Sequence, residues 1–192
     1  MYTPLRALGK QITMLNKSTR RKSTRLKSYD YSKVGAYFVT ICTHERENLF
    51  GEIVKSEMIL SDIGRVILEE WLNTEKLRKN VQLDEFTIMP NHFHAIVIIN
   101  QGGRGVLQYA PTANSEAPNR IFRSPSQTIG AIIRGFKSAA THRVNELRRK
   151  PGFPVWQRNY YEHVIRNDED LTSVREYIAN NYLNWEIDAE YN

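Results

Sequence analysis

A single cysteine, Cys42, stands among 192 residues. That excludes an internal disulfide and a CxxC zinc site, and it fits a reducing compartment. Long apolar runs are equally scarce. The longest, Ala95–Ile99, is far too short to span a bilayer. Residues 1–28 are polar and basic where a secretory leader would be apolar. A soluble, cytoplasmic protein with no membrane partner is therefore expected. Glycine (10) and proline (7) occur in ordinary numbers, which rules out collagen-like and low-complexity chains. No internal repeat is visible. What the chain does have is 41% apolar residues and three tryptophans. At this length roughly 70% of the unfolded surface is hidden on folding, enough for one well-filled core.

The net charge of +6 conceals an asymmetry. Residues 1–28 carry eight Lys/Arg and no acid; residues 29–103 sum to −4, residues 104–166 to +8 and residues 167–192 to −6. Two separated basic segments on an otherwise acidic body point to a polyanionic partner, most simply nucleic acid. Residues 1–28 have no sustained apolar period and are expected to form a basic disordered tail, with the globular domain over residues 29–192.

Within that domain Ala36–Thr43 is β-branched and aromatic, as a buried strand requires. Phe50–Val54 and Glu57–Leu60 flank Lys55-Ser56 as a short hairpin. Ser61-Asp62 reads as a helix start, with Ile63, Val66, Ile67, Trp71 and Leu72 at helical spacing through about Lys79. Leu83–Met89 and His92–Ile99 are strand-like and separated by the turn pair Pro90-Asn91. Gln101–Ser124 reads as a long flexible loop. A second helix is expected over Pro125–Arg148, with Ile129, Ile132, Ile133, Phe136 and Ala140 as its stripe. A short strand closes at Val164-Ile165, and Asn167–Asp170 caps a last helix over Leu171–Trp185. This order predicts an α+β sandwich with a central, mainly antiparallel sheet.

The segment MPNHFHAIVII is the most informative in the chain. On a strand, His92 and His94 project to one face with Ile96 and Ile98, while Phe93, Ala95, Val97 and Ile99 line the other. Two apolar faces imply a central strand covered on both sides. Paired imidazoles there need partners, either a divalent metal or structural hydrogen bonds. The last helix offers Tyr177 and Asn181 four residues apart, hence stacked on one helical face. A phenol can be a nucleophile and an amide oxygen can complete a hard-metal site; a tyrosine beside an apolar stripe can equally be core.

Three blocks, AYFVTICTHERENLFG, MPNHFHAIVII and VWQRNYYEHVIRNDEDLTSVREYIANNYLNW, together resemble the tyrosine HUH transposases of bacterial insertion sequences, above all the REP-associated tyrosine transposases. They stand in the family's order and cover most of residues 29–185. The resemblance implies a ferredoxin-like α/β sandwich and a His-hydrophobe-His metal site at His92 and His94. It also implies a nucleophile at Tyr177 and a third metal ligand at Asn181, where some relatives carry glutamine. It further implies Mg²⁺ or Mn²⁺ as cofactor and single-stranded or hairpin DNA, of REP type, as partner. Cleavage and rejoining would run through a 5′-phosphotyrosine, and the protein would be nucleoid-associated. The family includes dimers, so a homodimer stays open. DNA contacts would then fall to Arg120, Arg123, Arg134, Lys137 and Arg158, with Tyr160 or Tyr161 stacking on a base. His163 is either the proton acceptor for Tyr177 or a structural hydrogen-bonding group. The competing readings are a non-catalytic nucleic-acid-binding module on the same fold and a water-using metal phosphohydrolase.

Overall fold

The computed structural model describes residues 34–100 and 128–185. The basic tail, the loop expected over Gln101–Ser124, Pro125, Arg120 and Arg123 lie outside the described residues. The elements run β1 (Gly35–Cys42), β2 (Gly51–Val54), β3 (Glu57–Leu60), α1 (Asp62–Leu77), β4 (Val81–Met89), β5 (His92–Ile99), α2 (Ile129–Leu147), β6 (Tyr161–Ile165) and α3 (Asp168–Ala179), with short 3₁₀ turns at His44–Arg46 and Asn181–Asn184. The main sheet has the order β4-β5-β1-β6, and every neighbouring pair is antiparallel. β1, β4, β5 and β6, with α1 and α2 as the two crossovers, make the ferredoxin-like sandwich. β2 and β3 form a separate hairpin whose turn residues Lys55 and Ser56 take φ of 52° and 64°, the left-handed pair that matches strand twist.

β5 is buried along its whole length because both of its faces are covered. On one face Tyr37, Val39, Ile41, Phe93, Ala95, Val97 and Ile99 pack on α1 and α2 through Ile67, Trp71, Ile132, Phe136 and Ala140. On the other, Phe38, Ile96, Ile98 and Ile165 meet Leu171, Val174 and Ile178 of α3. His92 and His94 alternate onto the second face, as their spacing requires. Leu72, expected in the stripe of α1, is 43% exposed; Gly64 and Thr74 are buried instead.

Two helix boundaries differ from expectation. α2 starts after Thr128, whose hydroxyl accepts from the Ala131 N–H at 3.1 Å; this cap, rather than Pro125, satisfies the first turn. α3 stops at Ala179 instead of continuing to Trp185. Asn180 turns its side chain back, and its Nδ2 donates to the Glu176 carbonyl at 2.8 Å. That bond caps a carbonyl at the helix end, where the chain tightens into the 3₁₀ turn. Asn181 therefore lies beyond the helix that carries Tyr177, not one turn further along it.

Candidate active site

His92 and His94 lie side by side at the start of β5, with ring centroids 4.6 Å apart and exposures of 8% and 1%. Each has its Nδ1 engaged. The His92 Nδ1–H donates to Asn91 Oδ1 at 2.8 Å. His94 Nδ1 is 2.8 Å from the hydroxyl of Thr40, its directly opposed neighbour on β1. These contacts orient both rings and direct both Nε2 atoms elsewhere, as hydrogen bonds to the other ring nitrogen do for metal-ligating imidazoles. Burial, reinforced by the nearby Arg46 guanidinium and opposed by a hydrogen bond with Asn181, brings the His92 pKa down to about 3. Burial and the neighbouring His92 hold His94 well below its usual value. Both rings are neutral at pH 7, so both retain a lone pair for a Lewis acid.

α3 brings Tyr177 over this pair. Its hydroxyl lies 3.4 Å from His94 Nε2, and its ring meets His94 and Phe38 edge-on at 5.2 and 6.0 Å. Phe38 stacks on His94 from β1. The 3₁₀ turn places Asn181 against the His92 ring at 1% exposure, where its side chain interacts with that ring while its Oδ1 has no hydrogen bond of ordinary geometry. On the β4 side Thr87, opposite His94 in register, also has a buried hydroxyl without a partner. Buried polar atoms are seldom left unpaired, so orphan oxygens on both flanks of the histidines suit a polar guest. Two imidazole nitrogens and one amide oxygen are a donor set for a divalent cation. Among the described residues no cluster of three His, Cys, Asp or Glu side chains offers an alternative metal site.

The other expected residues disperse. Arg134 is exposed on α2, which covers the face opposite the histidines. Lys137 is not a free companion to it: its Nζ donates to the carbonyls of Gln157 at 2.6 Å and Arg158 at 3.2 Å. Burial lowers its pKa to about 8. The Arg158 side chain is exposed. Tyr160 packs toward α1 and α2, and Tyr161 toward α3. His163 Nε2 is 3.0 Å from both carboxylate oxygens of Asp170, a pair that ties β6 to the start of α3. A groove of about 800 Å³ between α2 and residues 151–158 is lined by Lys137, Thr141, Trp156 and Arg158, and by none of the residues around His94. Sequence reasoning missed Thr40 and Phe38. The one signal for Thr40 is a lone hydroxyl among apolar residues in AYFVTIC; nothing local reveals that it opposes His94.

A protein of Haemophilus influenzae described as uncharacterized is 41% identical over 171 residues, covering 89% of this chain and 93% of that one. The chain belongs to the same family. No protein-family model matches it. Among solved structures, that of a REP-associated tyrosine transposase bound to a REP hairpin superposes with a TM-score of 0.53 at 18% identity, covering 83% of this chain and 73% of that one. The fold is tyrosine HUH transposase-like.

Proposed function

We propose that this protein is a metal-dependent single-strand DNA endonuclease and strand transferase, a transposase that cleaves and rejoins DNA beside hairpins through Tyr177. The observation that carries the reading is the Tyr177 hydroxyl 3.4 Å from His94 Nε2, beside His92 and the unpartnered amide oxygen of Asn181. The hairpin bound by the solved structure of like fold supports the substrate class. His92, His94 and Asn181 would hold Mg²⁺ or Mn²⁺. When bound, the cation supplies positive charge to polarise and orient the scissile phosphate.

Tyr177 Oη attacks phosphorus, the P–O3′ bond breaks, and the 3′ oxygen leaves as a hydroxyl, giving a 5′-phosphotyrosine. A second 3′-hydroxyl then reverses the step and releases Tyr177, so joining needs no ATP. Ionising a phenol of pKa near 10 costs roughly 4 kcal/mol at pH 7, which the positive charge at the site must offset. Phosphate contacts fall to the exposed Arg134 and Arg158, and to Arg120 and Arg123 in the preceding segment. Because imidazole suits Mn²⁺ better than the oxygen-seeking Mg²⁺, cleavage should saturate at lower Mn²⁺ than Mg²⁺.

The test is a denaturing gel of protein incubated with a hairpin oligonucleotide carrying single-stranded flanks, with Mn²⁺ or Mg²⁺. Wild type should give a covalent adduct. Tyr177→Phe keeps the ring against His94 and Phe38 and should bind the DNA normally yet form no adduct. Tyr160→Phe, Tyr161→Phe and Tyr182→Phe should retain it. Cleavage by Tyr177→Phe would indicate water as nucleophile and a phosphohydrolase. No adduct from wild type on any hairpin would favour a binding module.

A further inference from the structure

The turn between β1 and β2 carries a cation, Arg46, that the proposed cleavage does not use. Residues 43–50 are fixed by the backbone to the neighbours of His92. The Thr43 N–H and hydroxyl both donate to the Asn91 carbonyl at 2.9 Å, and the Phe50 N–H donates to the Pro90 carbonyl at 3.0 Å. The His44 N–H donates to the Val155 carbonyl at 2.9 Å. Asn91 is also the residue that orients His92. Within this pinned turn Glu45 and Arg46 both take left-handed backbone conformations, φ 51° and 57°, which non-glycine residues rarely adopt and which recur at ligand clamps.

Arg46 is half-buried, and among the described residues its guanidinium makes no hydrogen bond or ion pair. Glu45, its neighbour, pairs instead with His44. The turn follows directly on Cys42, which opposes His92 in the register of β1 on β5. A half-buried cation becomes more favourable once an anion shares its site. The guanidinium fork suits a phosphate, which it can grip with two parallel hydrogen bonds.

We propose that Arg46 is a DNA-binding residue that anchors a backbone phosphodiester of the single strand beside His92, holding that strand in register with Tyr177. The proposal rests on the function argued above, but its test does not depend on cleavage. The full-length chain is titrated in EDTA with a fluorescent hairpin carrying a single-stranded flank, and with the same stem without the flank, across a salt series. Arg46→Gln should weaken flanked-hairpin binding about tenfold and lower the log K against log salt slope by roughly one phosphate contact. It should leave stem binding unchanged. Arg46→Lys should restore the slope but only part of the affinity, because an ammonium keeps the charge and lacks the fork. Circular dichroism checks that both variants fold.

Equal affinity and slope for Arg46→Gln and wild type would overturn the proposal, as would an equal loss on flanked and unflanked stems. Tighter Mn²⁺ binding by Arg46→Gln with unchanged DNA binding would also overturn it, leaving Arg46 as a neighbouring charge only. If wild type forms the adduct while Arg46→Gln binds DNA normally, this inference fails and the transposase reading stands. If wild type forms no adduct but Arg46→Gln loses flank binding, the reverse holds.

Discussion

Thr40 and Asn91 determine what His94 and His92 can do, although neither belongs to the proposed ligand set. Each occupies an imidazole Nδ1 and so decides which nitrogen faces Tyr177 and Asn181. Thr40→Val keeps shape and removes one oxygen. It should lower Mn²⁺ affinity by roughly 10- to 100-fold while costing stability only about 1 kcal/mol, measured by calorimetry and urea unfolding. The histidines themselves make the metal-free protein acid-sensitive. In EDTA the unfolded chain takes up their protons below about pH 6.5, whereas folded His92 does so only near pH 3. The unfolded state thus binds more protons across that window. Stability should be insensitive to these groups above pH 6.5 and fall as pH drops toward 3, by up to about 1.4 kcal/mol per unit for each group. Urea midpoints at pH 7.5, 6 and 5 check this; His92→Gln/His94→Gln should flatten the decline. Had the rings been stabilised as cations, the slope would have the opposite sign.

At the scale of elements, α3 is the part whose docking sets the site. Leu171, Val174 and Ile178 are buried against Phe38, Ile96, Ile98 and Ile165, and an ion pair from Arg175 to Asp84 joins the helix to β4. Leu171 lies about two turns before Tyr177 on α3. Leu171→Ala should destabilise the fold by roughly 2–4 kcal/mol through the cavity left behind. If it also loosens α3, adduct formation should drop more than DNA binding does, a split read by gel and anisotropy on the same preparation. The start of α3 was legible in Asn167–Asp170, because acids at a positive helix end and an Asx cap are local chemistry. Its end was not. The sequence NNYLNW continues plausibly as helix, and only the fold of Asn180 onto the Glu176 carbonyl shows that Tyr177 and Asn181 sit on different elements. Similarly, Arg134 and Lys137 look equivalent at helical spacing, yet packing of residues 155–158 gives the Lys137 ammonium two carbonyls.

Over the whole molecule, charge is apportioned between a basic tail of eight cations in residues 1–28 and a folded body. Deleting residues 1–28 should flatten the salt dependence of DNA binding and leave the preferred hairpin unchanged, because cations that meet phosphates act mainly by releasing counterions. Binding curves for several hairpins at 50–200 mM salt, with and without residues 1–28, test this. Loss of discrimination between hairpins would mean the tail reads sequence. Among the described residues no helix is long and apolar enough to cross a membrane.

What the amino-acid sequence determined by itself was whatever depends on short-range periodicity. The alternation that sends His92 and His94 to one face, the burial of β5 on both faces, the turns at Lys55-Ser56 and Pro90-Asn91, and the α+β order all follow from spacing of two or 3.6 residues. The tertiary structure alone decided which atoms meet across long separations. Thr40 opposes His94 over 54 residues, Tyr177 reaches His94 over 83, and the turn carrying Arg46 is pinned to Asn91. Such contacts depend on strand register and helix docking, set by the fit of the whole core, and no local pattern encodes the partner's position.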